Sequence, residues 1–233
     1  NHGTKIHQYL NKKFKNSKVT ICDLNQSNIN KPISSKIKKI ILDLDSWTIE
    51  SEKYDLVISN FFLFLSDNLE NILKKILISL VPNGFFIATM PASENFKLLK
   101  SAMIQTDLEL YRGVYNRFNK ISELQNIIEI LKINNFKIPI VNNEKINLEY
   151  KNFDKLINDV RSMNLSYFYK DKKNNFEKKS YFKKLEKNYI KNSNKYFELT
   201  NDIYIISGWK EHQSQQKPLM PGAAKNKLDD FLN

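Results

Sequence analysis

The apolar positions of this chain alternate between a helical period and a strand period along most of its length. Ile6, Tyr9, Leu10 and Phe14 fall at helical spacing and predict an amphipathic helix over residues 4–15. Lys18 to Asp23 is β-branched and ends on an acid, and residues 37–43 repeat that pattern, ending Ile40-Ile41-Leu42-Asp43, so both predict strands. Tyr54 to Asn60 predicts a buried strand. Leu69, Ile72, Leu73, Ile76, Leu77 and Leu80 then trace one helix face, with Ser66 or Asp67 placed to cap it. Pro82-Asn83-Gly84 reads as the turn that ends this helix, and Phe85 to Met90 as the next strand.

The second half continues the alternation. A helix is predicted at about 92–105, then a polar loop over 106–119 that holds Arg112 and Arg117. Ile121, Leu124, Ile127, Ile128 and Leu131 form the next helical stripe, and Phe136–Val141 and Lys145–Tyr150 read as strands. Phe153, Leu156, Ile157 and Val160 mark a further helix, a lysine-rich helix covers 176–191, and Ile203 to Trp209 is the last strand. Strands alternating with helices of this length predict right-handed βαβ units and a parallel sheet. The chain shows no internal repeat.

Composition narrows the picture. The 233 residues fit one layered domain, and 41% apolar content suits a folded chain. The net charge of +12 invites a nucleic-acid reading, yet all but three of the 37 basic residues are lysine. Nucleic-acid readers favour the bidentate, stacking guanidinium, so the charge reads as a solvated lysine surface. Cys22 is the sole cysteine, which excludes an internal disulfide, and His2, His7 and His212 lack zinc-ligand spacing. No apolar run approaches the roughly 18 residues needed to span a bilayer. This points to a reducing, aqueous compartment, with no metal site and no transmembrane segment.

The candidate chemistry lies at strand ends, where open α/β sheets hold their ligands. Asp23 closes the first strand, where a carboxylate can accept from both hydroxyls of a ribose; an acid there also serves as a cap or turn former. Asp43, followed by Leu44, closes the next and can receive the exocyclic amine of adenine. Gly3 begins a helix whose N-terminus favours an anionic group. Asn60 and Phe61 close the central strand beside it, although Asn60 serves equally to satisfy loop backbone. No general base or nucleophile stands out, and a sulfonium methyl donor needs mainly alignment.

Taken together, Asp43-Leu44-Asp45, Tyr54-Asp55-Leu56-Val57-Ile58-Ser59-Asn60 and Val81-Pro82-Asn83-Gly84-Phe85-Phe86-Ile87 resemble the class I S-adenosylmethionine-dependent methyltransferases. The carboxyl-terminal run is more specific. Tyr204 to Pro218, containing Gly208-Trp209, His212 and Ser214-Gln215, followed by Pro221-Gly222-Ala223-Ala224, resembles the complex I assembly factor 5 family, itself related to malonyl-carrier-protein O-methyltransferases. Asp159-Val160-Arg161-Ser162-Met163 is similar to that family's Asp-Leu-Arg-x-Met helix, and Arg112-Gly113 with Arg117-Phe118 to its basic loop. Two departures stand out: Leu63-Phe64-Leu65 replaces a Leu-His-Trp, and Gly222-Ala223-Ala224 a Gly-Ser-Ala.

The resemblance implies an α/β, doubly wound, mostly parallel seven-stranded sheet of the Rossmann-like methyltransferase type, here lacking its first strand, with an antiparallel last strand. It implies S-adenosyl-L-methionine as cofactor, with Asp23 and Leu24 at the ribose, Asp43 and Leu44 at the adenine, and Gly3, Asn60 and Phe61 at the methionine end. Arg112, Arg117 and Trp209 are the substrate-side candidates, expected at or beside the carboxyl edge of the sheet; no catalytic residue is assigned. The implied partner is a protein substrate, a subunit of respiratory complex I or, in the related pathway, an acyl carrier protein engaged by the lysine-rich helix. A non-catalytic assembly chaperone is a third reading, motivated by Phe64. The location expected is cytoplasmic in a bacterium and the mitochondrial matrix in a eukaryote. Residues 1–217 form the expected domain, with a helical insertion at about 152–191 and a flexible tail over 218–233. Because the missing strand would be central, the chain is expected to need some 40 or more further residues upstream to fold stably and bind cofactor, a rough domain-size expectation.

Overall fold

The computed structural model describes residues 4–24, 37–42, 47–66, 68–118, 120–163, 177–191 and 197–216. In chain order the elements are α1 (Thr4–Lys13), β1 (Thr20–Asp23), β2 (Lys38–Ile41), β3 (Tyr54–Asn60), a 3-10 turn (Leu63–Leu65), α2 (Leu69–Ser79), β4 (Leu80–Pro91), α3 (Lys97–Tyr111), α4 (Leu124–Ile133), β5 (Lys137–Tyr150), α5 (Phe153–Ser162), α6 (Lys179–Lys191) and β6 (Phe197–Trp209). Among the described residues the strands form two hydrogen-bonded groups, a parallel pair β1-β2 and a sheet ordered β3-β4-β6-β5. β3 and β4 run parallel, and β6 runs antiparallel to both β4 and β5. The expected mixture of parallel strands closed by an antiparallel last strand therefore forms, with no hydrogen-bonded ladder joining β1 to β3.

Several boundaries differ from expectation for identifiable reasons. The cap of α2 is Asn68, whose side chain accepts from the Asn71 backbone N–H at 2.9 Å, one residue beyond Ser66 and Asp67. Pro82-Asn83-Gly84 is not a turn between elements. It is a bulge inside β4, where the register jumps from Tyr54↔Leu80 to Leu56↔Phe85 and Asn83 takes a left-handed φ of 63°. A Cβ on Gly84 would sit 2.8 Å from the Val81 carbonyl oxygen, so the bulge requires a glycine there. β5 is one strand across the expected break, because each residue from Ile140 to Tyr150 has a partner on β6. α3 starts later than expected, at Lys97, after Phe96 turns the chain at φ 59°.

The described residues form two cores. In the first, Phe86, Ala88 and Met90 of β4 and Tyr204 and Ile206 of β6 face Ile72, Leu73 and Ile76 of α2 and Ile127 and Leu131 of α4. Leu42, just past β2, and Trp47 pack into this same core, which ties the β1-β2 pair to the larger sheet. The second core joins Phe96 and Leu99 at the start of α3 to Leu156 of α5, Tyr181, Leu185 and Tyr189 of α6, and Leu199 of β6. Its contributors follow β4, end β5 and begin β6, so this helical cap lies at the carboxyl edge of the parallel strands. Burying each such leucine or aromatic side chain contributes about 1.5–3 kcal/mol. Phe64, where the family pattern has a histidine, packs against both cores and sits at their seam.

Candidate functional site

The carboxyl edge of β3 holds Asn60 and Phe61, two of the three residues expected at the methionine end. Asn60 closes β3, and its side-chain oxygen accepts from the Thr89 hydroxyl at 2.6 Å. Phe61 then turns at φ 50° and donates its N–H to the Thr89 carbonyl at 2.9 Å. A left-handed φ at an aromatic residue costs on the order of 1–3 kcal/mol and persists where the surroundings fix it, as strand ends at functional sites often do. Here the fixing comes from that hydrogen bond and from packing against the second core.

Asp23 and Leu24 lie half-buried at the end of β1, and the Asp23 carbonyl accepts the Leu42 N–H at 3.0 Å. This places the end of β1 beside the end of β2, one residue before Asp43. Gly3, Asp43 and Leu44 lie outside the described residues. A cleft of about 250 Å³ opens nearby, between Ile40–Leu42 and the loop of Trp47, Thr48 and Glu50 that leads to Tyr54. Among the described residues its lining includes none of the sequence-predicted site residues.

Sequence reasoning missed a polar cluster beyond β4. The Ser93 hydroxyl donates to Glu123 Oε2 at 3.0 Å and pairs with the Tyr204 hydroxyl at 3.1 Å. Lys100 Nζ donates to the Ser93 carbonyl at 3.3 Å and lies 5.6 Å from the centre of the Phe118 ring, and burial pushes its ammonium below the ordinary lysine range. No local signal marks these residues, since Ser93 and Tyr204 are 111 positions apart and Tyr204 reads as an ordinary alternating strand residue.

The three substrate-side candidates fall in three different settings. Arg112 is the exposed, left-handed C-cap of α3, its N–H bonded to the Leu108 carbonyl. Arg117 is drawn into the cap, where Nη1 binds Asp107 and Nη2 reaches Glu177 Oε1 at 2.7 Å. Trp209 is at the opposite edge from the one expected. It pairs with Phe85 at the beginning of the regular part of β4, its ring 4.4 Å from that of Phe85, because an antiparallel last strand ends where its parallel neighbours begin. The residues after it stay at that edge: Lys210 donates to the Leu80 carbonyl and Gln215 to Asn83. The Asp159–Met163 motif ends α5, with Asp159 beside the Tyr150 hydroxyl and the exposed Arg161 stacked 5.0 Å over Phe182.

No family model matches the chain. Its sequence is similar to the mitochondrial arginine-hydroxylase NDUFAF5 of Dictyostelium discoideum, 29% identical over 189 residues, which cover 78% of this chain and 43% of that protein. The human protein of that name is 22% identical over 223 residues, covering 94% of this chain and 64% of that one. The chain thus spans about half to two thirds of these relatives' length. Among solved structures, a methyltransferase-type protein of Bacillus halodurans superposes with a TM-score of 0.55 at 11% identity, covering 90% of each chain. Phosphoethanolamine N-methyltransferase 2 of Haemonchus contortus, solved with S-adenosyl-L-methionine, gives 0.52 at 14% identity over 88% of this chain and 46% of that one. The chain has the α/β Rossmann-like fold of these methyltransferases, and its sequence likeness is to NDUFAF5.

Proposed function

We propose that this chain is an S-adenosylmethionine-binding enzyme of the methyltransferase fold that modifies an arginine side chain of a protein during assembly of respiratory complex I. The observation that carries this reading is the similarity to NDUFAF5, whose name specifies arginine hydroxylation, across 78% of the chain. A mitochondrial location follows from the same relatives.

The described residues fit the cofactor at two points. Asp23 presents a half-buried carboxylate at the end of β1, suited to a vicinal diol, and Asn60 with Phe61 closes β3 in a conformation fixed by the Thr89 contacts. The bound cofactor supplies a sulfonium centre with an activated methyl group. The protein's own part is to orient and to exclude water. Thr89 holds the exposed Asn60 amide at the strand end, Phe61 packs against the cap, and Phe64 packs at the seam between the two cores. Ser93, Glu123 and Tyr204 form a hydrogen-bonded trio facing that edge, suited to orient a polar group of the substrate.

Two measurements test the reading. Titration calorimetry of the intact protein with S-adenosylmethionine is expected to show binding that Asp23→Ala weakens by at least about tenfold, the loss of a charge-assisted pair of hydrogen bonds being worth roughly 1.5–3 kcal/mol. A folded protein that binds nothing at millimolar ligand overturns it. Mass spectrometry of complex I subunits from cells with and without the gene is expected to show one arginine gaining mass, an oxygen marking hydroxylation and a methylene marking methyl transfer.

A further inference from the structure

Arg117 occupies a setting built to recognise a guanidinium. Its side chain is 17% exposed and stands between two carboxylates from separate segments, Asp107 on α3 and Glu177 ahead of α6. The guanidinium carbon lies 4.9 Å from the centre of the Tyr181 ring and 5.8 Å from that of Tyr115. Tyr111 donates its hydroxyl to the second oxygen of Glu177 at 2.6 Å and stacks on Tyr181, fixing that wall. Carboxylates in the guanidinium plane and rings on its faces are the contacts by which a protein selects arginine over lysine.

Arg117 does not saturate this cage. It comes from the loop after α3 and splits its two terminal nitrogens between the carboxylates, Nη1 to Asp107 Oδ2 and Nη2 to Glu177 Oε1. Asp107 Oδ2 also accepts the Tyr115 N–H, whereas Oδ1, on a side chain only 1% exposed, has no hydrogen-bond partner. The Tyr181 hydroxyl is likewise buried and lies against the Asp107 carboxylate without a bond of good geometry. A guanidinium arriving end-on makes two parallel bonds to a carboxylate and would engage both Asp107 oxygens. The loop bearing Arg117 has room to withdraw: Val114 is half exposed, and a Cβ on Gly113 would meet nothing closer than 4.0 Å.

We propose that the Asp107–Glu177–Tyr181 cage is the arginine-recognition site of this protein, and that Arg117 fills it as a built-in placeholder until an arginine side chain of the substrate protein exchanges with it. This deepens the reading of the chain as an arginine-modifying protein and rests on it. The placeholder lowers apparent affinity by the fraction of time it occupies the cage, so nine-tenths occupancy corresponds to about tenfold.

The test uses Nα-acetylarginine amide as probe, with the intact protein and no S-adenosylmethionine present, so a failure here is separable from a failure of cofactor binding. Arg117→Gln is expected to bind the probe at least about tenfold more tightly than wild type. The uncharged citrulline analogue should not bind, and adding Asp107→Asn should abolish the gain. A folded Arg117→Gln protein that binds the probe no better than wild type, or binds the citrulline analogue equally, overturns the proposal. If Arg117→Gln does not fold unaided, recovery of its circular dichroism with millimolar acetylarginine amide supports the exchange. Absence of recovery counts against it.

Discussion

Gly208 is a glycine because Phe136 occupies the space a side chain would need. A Cβ there would stand 2.9 Å from the Phe136 ring, which is itself buried against Phe86, the residue paired with Gly208 across β4 and β6. Gly208→Ala is therefore expected to destabilise the protein by roughly 1–3 kcal/mol, the usual range for overpacking, measured as a lower urea midpoint with an unchanged slope. The Gly-Trp pair that marks the carboxyl-terminal motif thus has a packing reason apart from any contact with substrate. Tyr189 gives a pH-dependent counterpart. Burial pushes its hydroxyl up to about 12 from an ordinary value of 10, and the hydroxyl donates to the Glu198 carbonyl. A folded-state pKa above the unfolded one gives stability that is complete below pH 10 and lost as the pH rises through about 12. Tyr189→Phe should lower stability at pH 8 and flatten the decline between pH 10 and 12; an unchanged alkaline slope would count against this.

At the scale of elements, two helices depend on side-chain caps of the same kind. Asn68 caps α2 by accepting from Asn71, and Asn152 caps α5 by accepting from Lys155, each at 2.9 Å. Replacing either by Ala is expected to cost about 1 kcal/mol. The double variant should cost the sum, since the two caps share no partner and serve different cores. Thermal or urea denaturation of the three variants checks both statements. Element type was legible where the apolar period was long and unbroken. β3 matches its expected bounds, and the stripe from Leu69 to Leu77 forms α2. The misses fall where pairing between strands overrides local chemistry. Asn142, Asn143 and Glu144 read as a break, yet Ile205, Tyr204 and Ile203 pair with them and carry β5 straight through. β6 likewise begins six residues before the expected Ile203, at Phe197, where Glu198, Thr200 and Asn201 pair with β5 and the Thr200 hydroxyl bonds to Asn147. The site was legible in the same uneven way. Asn60 and Phe61 stand at the expected edge because a strand end is a local property. Trp209 does not, because the direction of the last strand decides its edge, and Ser93 with Tyr204 was invisible because only the fold brings them together.

For the whole molecule, the division into two cores predicts unequal stability. Leu185 is fully buried in the cap, and Leu185→Ala should cost roughly 2–5 kcal/mol. Hydrogen exchange should then rise in α3, α5 and α6 well before α2 and β4; a uniform rise would show that the cap has no independence. β6 contributes buried residues to both cores, with Leu199 in the cap and Tyr204 and Ile206 under the sheet. It also lies between β4 and β5, which have no other ladder to each other. During synthesis, then, β4 and β5 leave the ribosome long before the strand that joins them. Both strands wait with unpaired edges while the intervening helices are made, and loop closure over so long a span is slow. The nascent chain should therefore be a prolonged client of holding chaperones, released when residue 209 clears the exit tunnel.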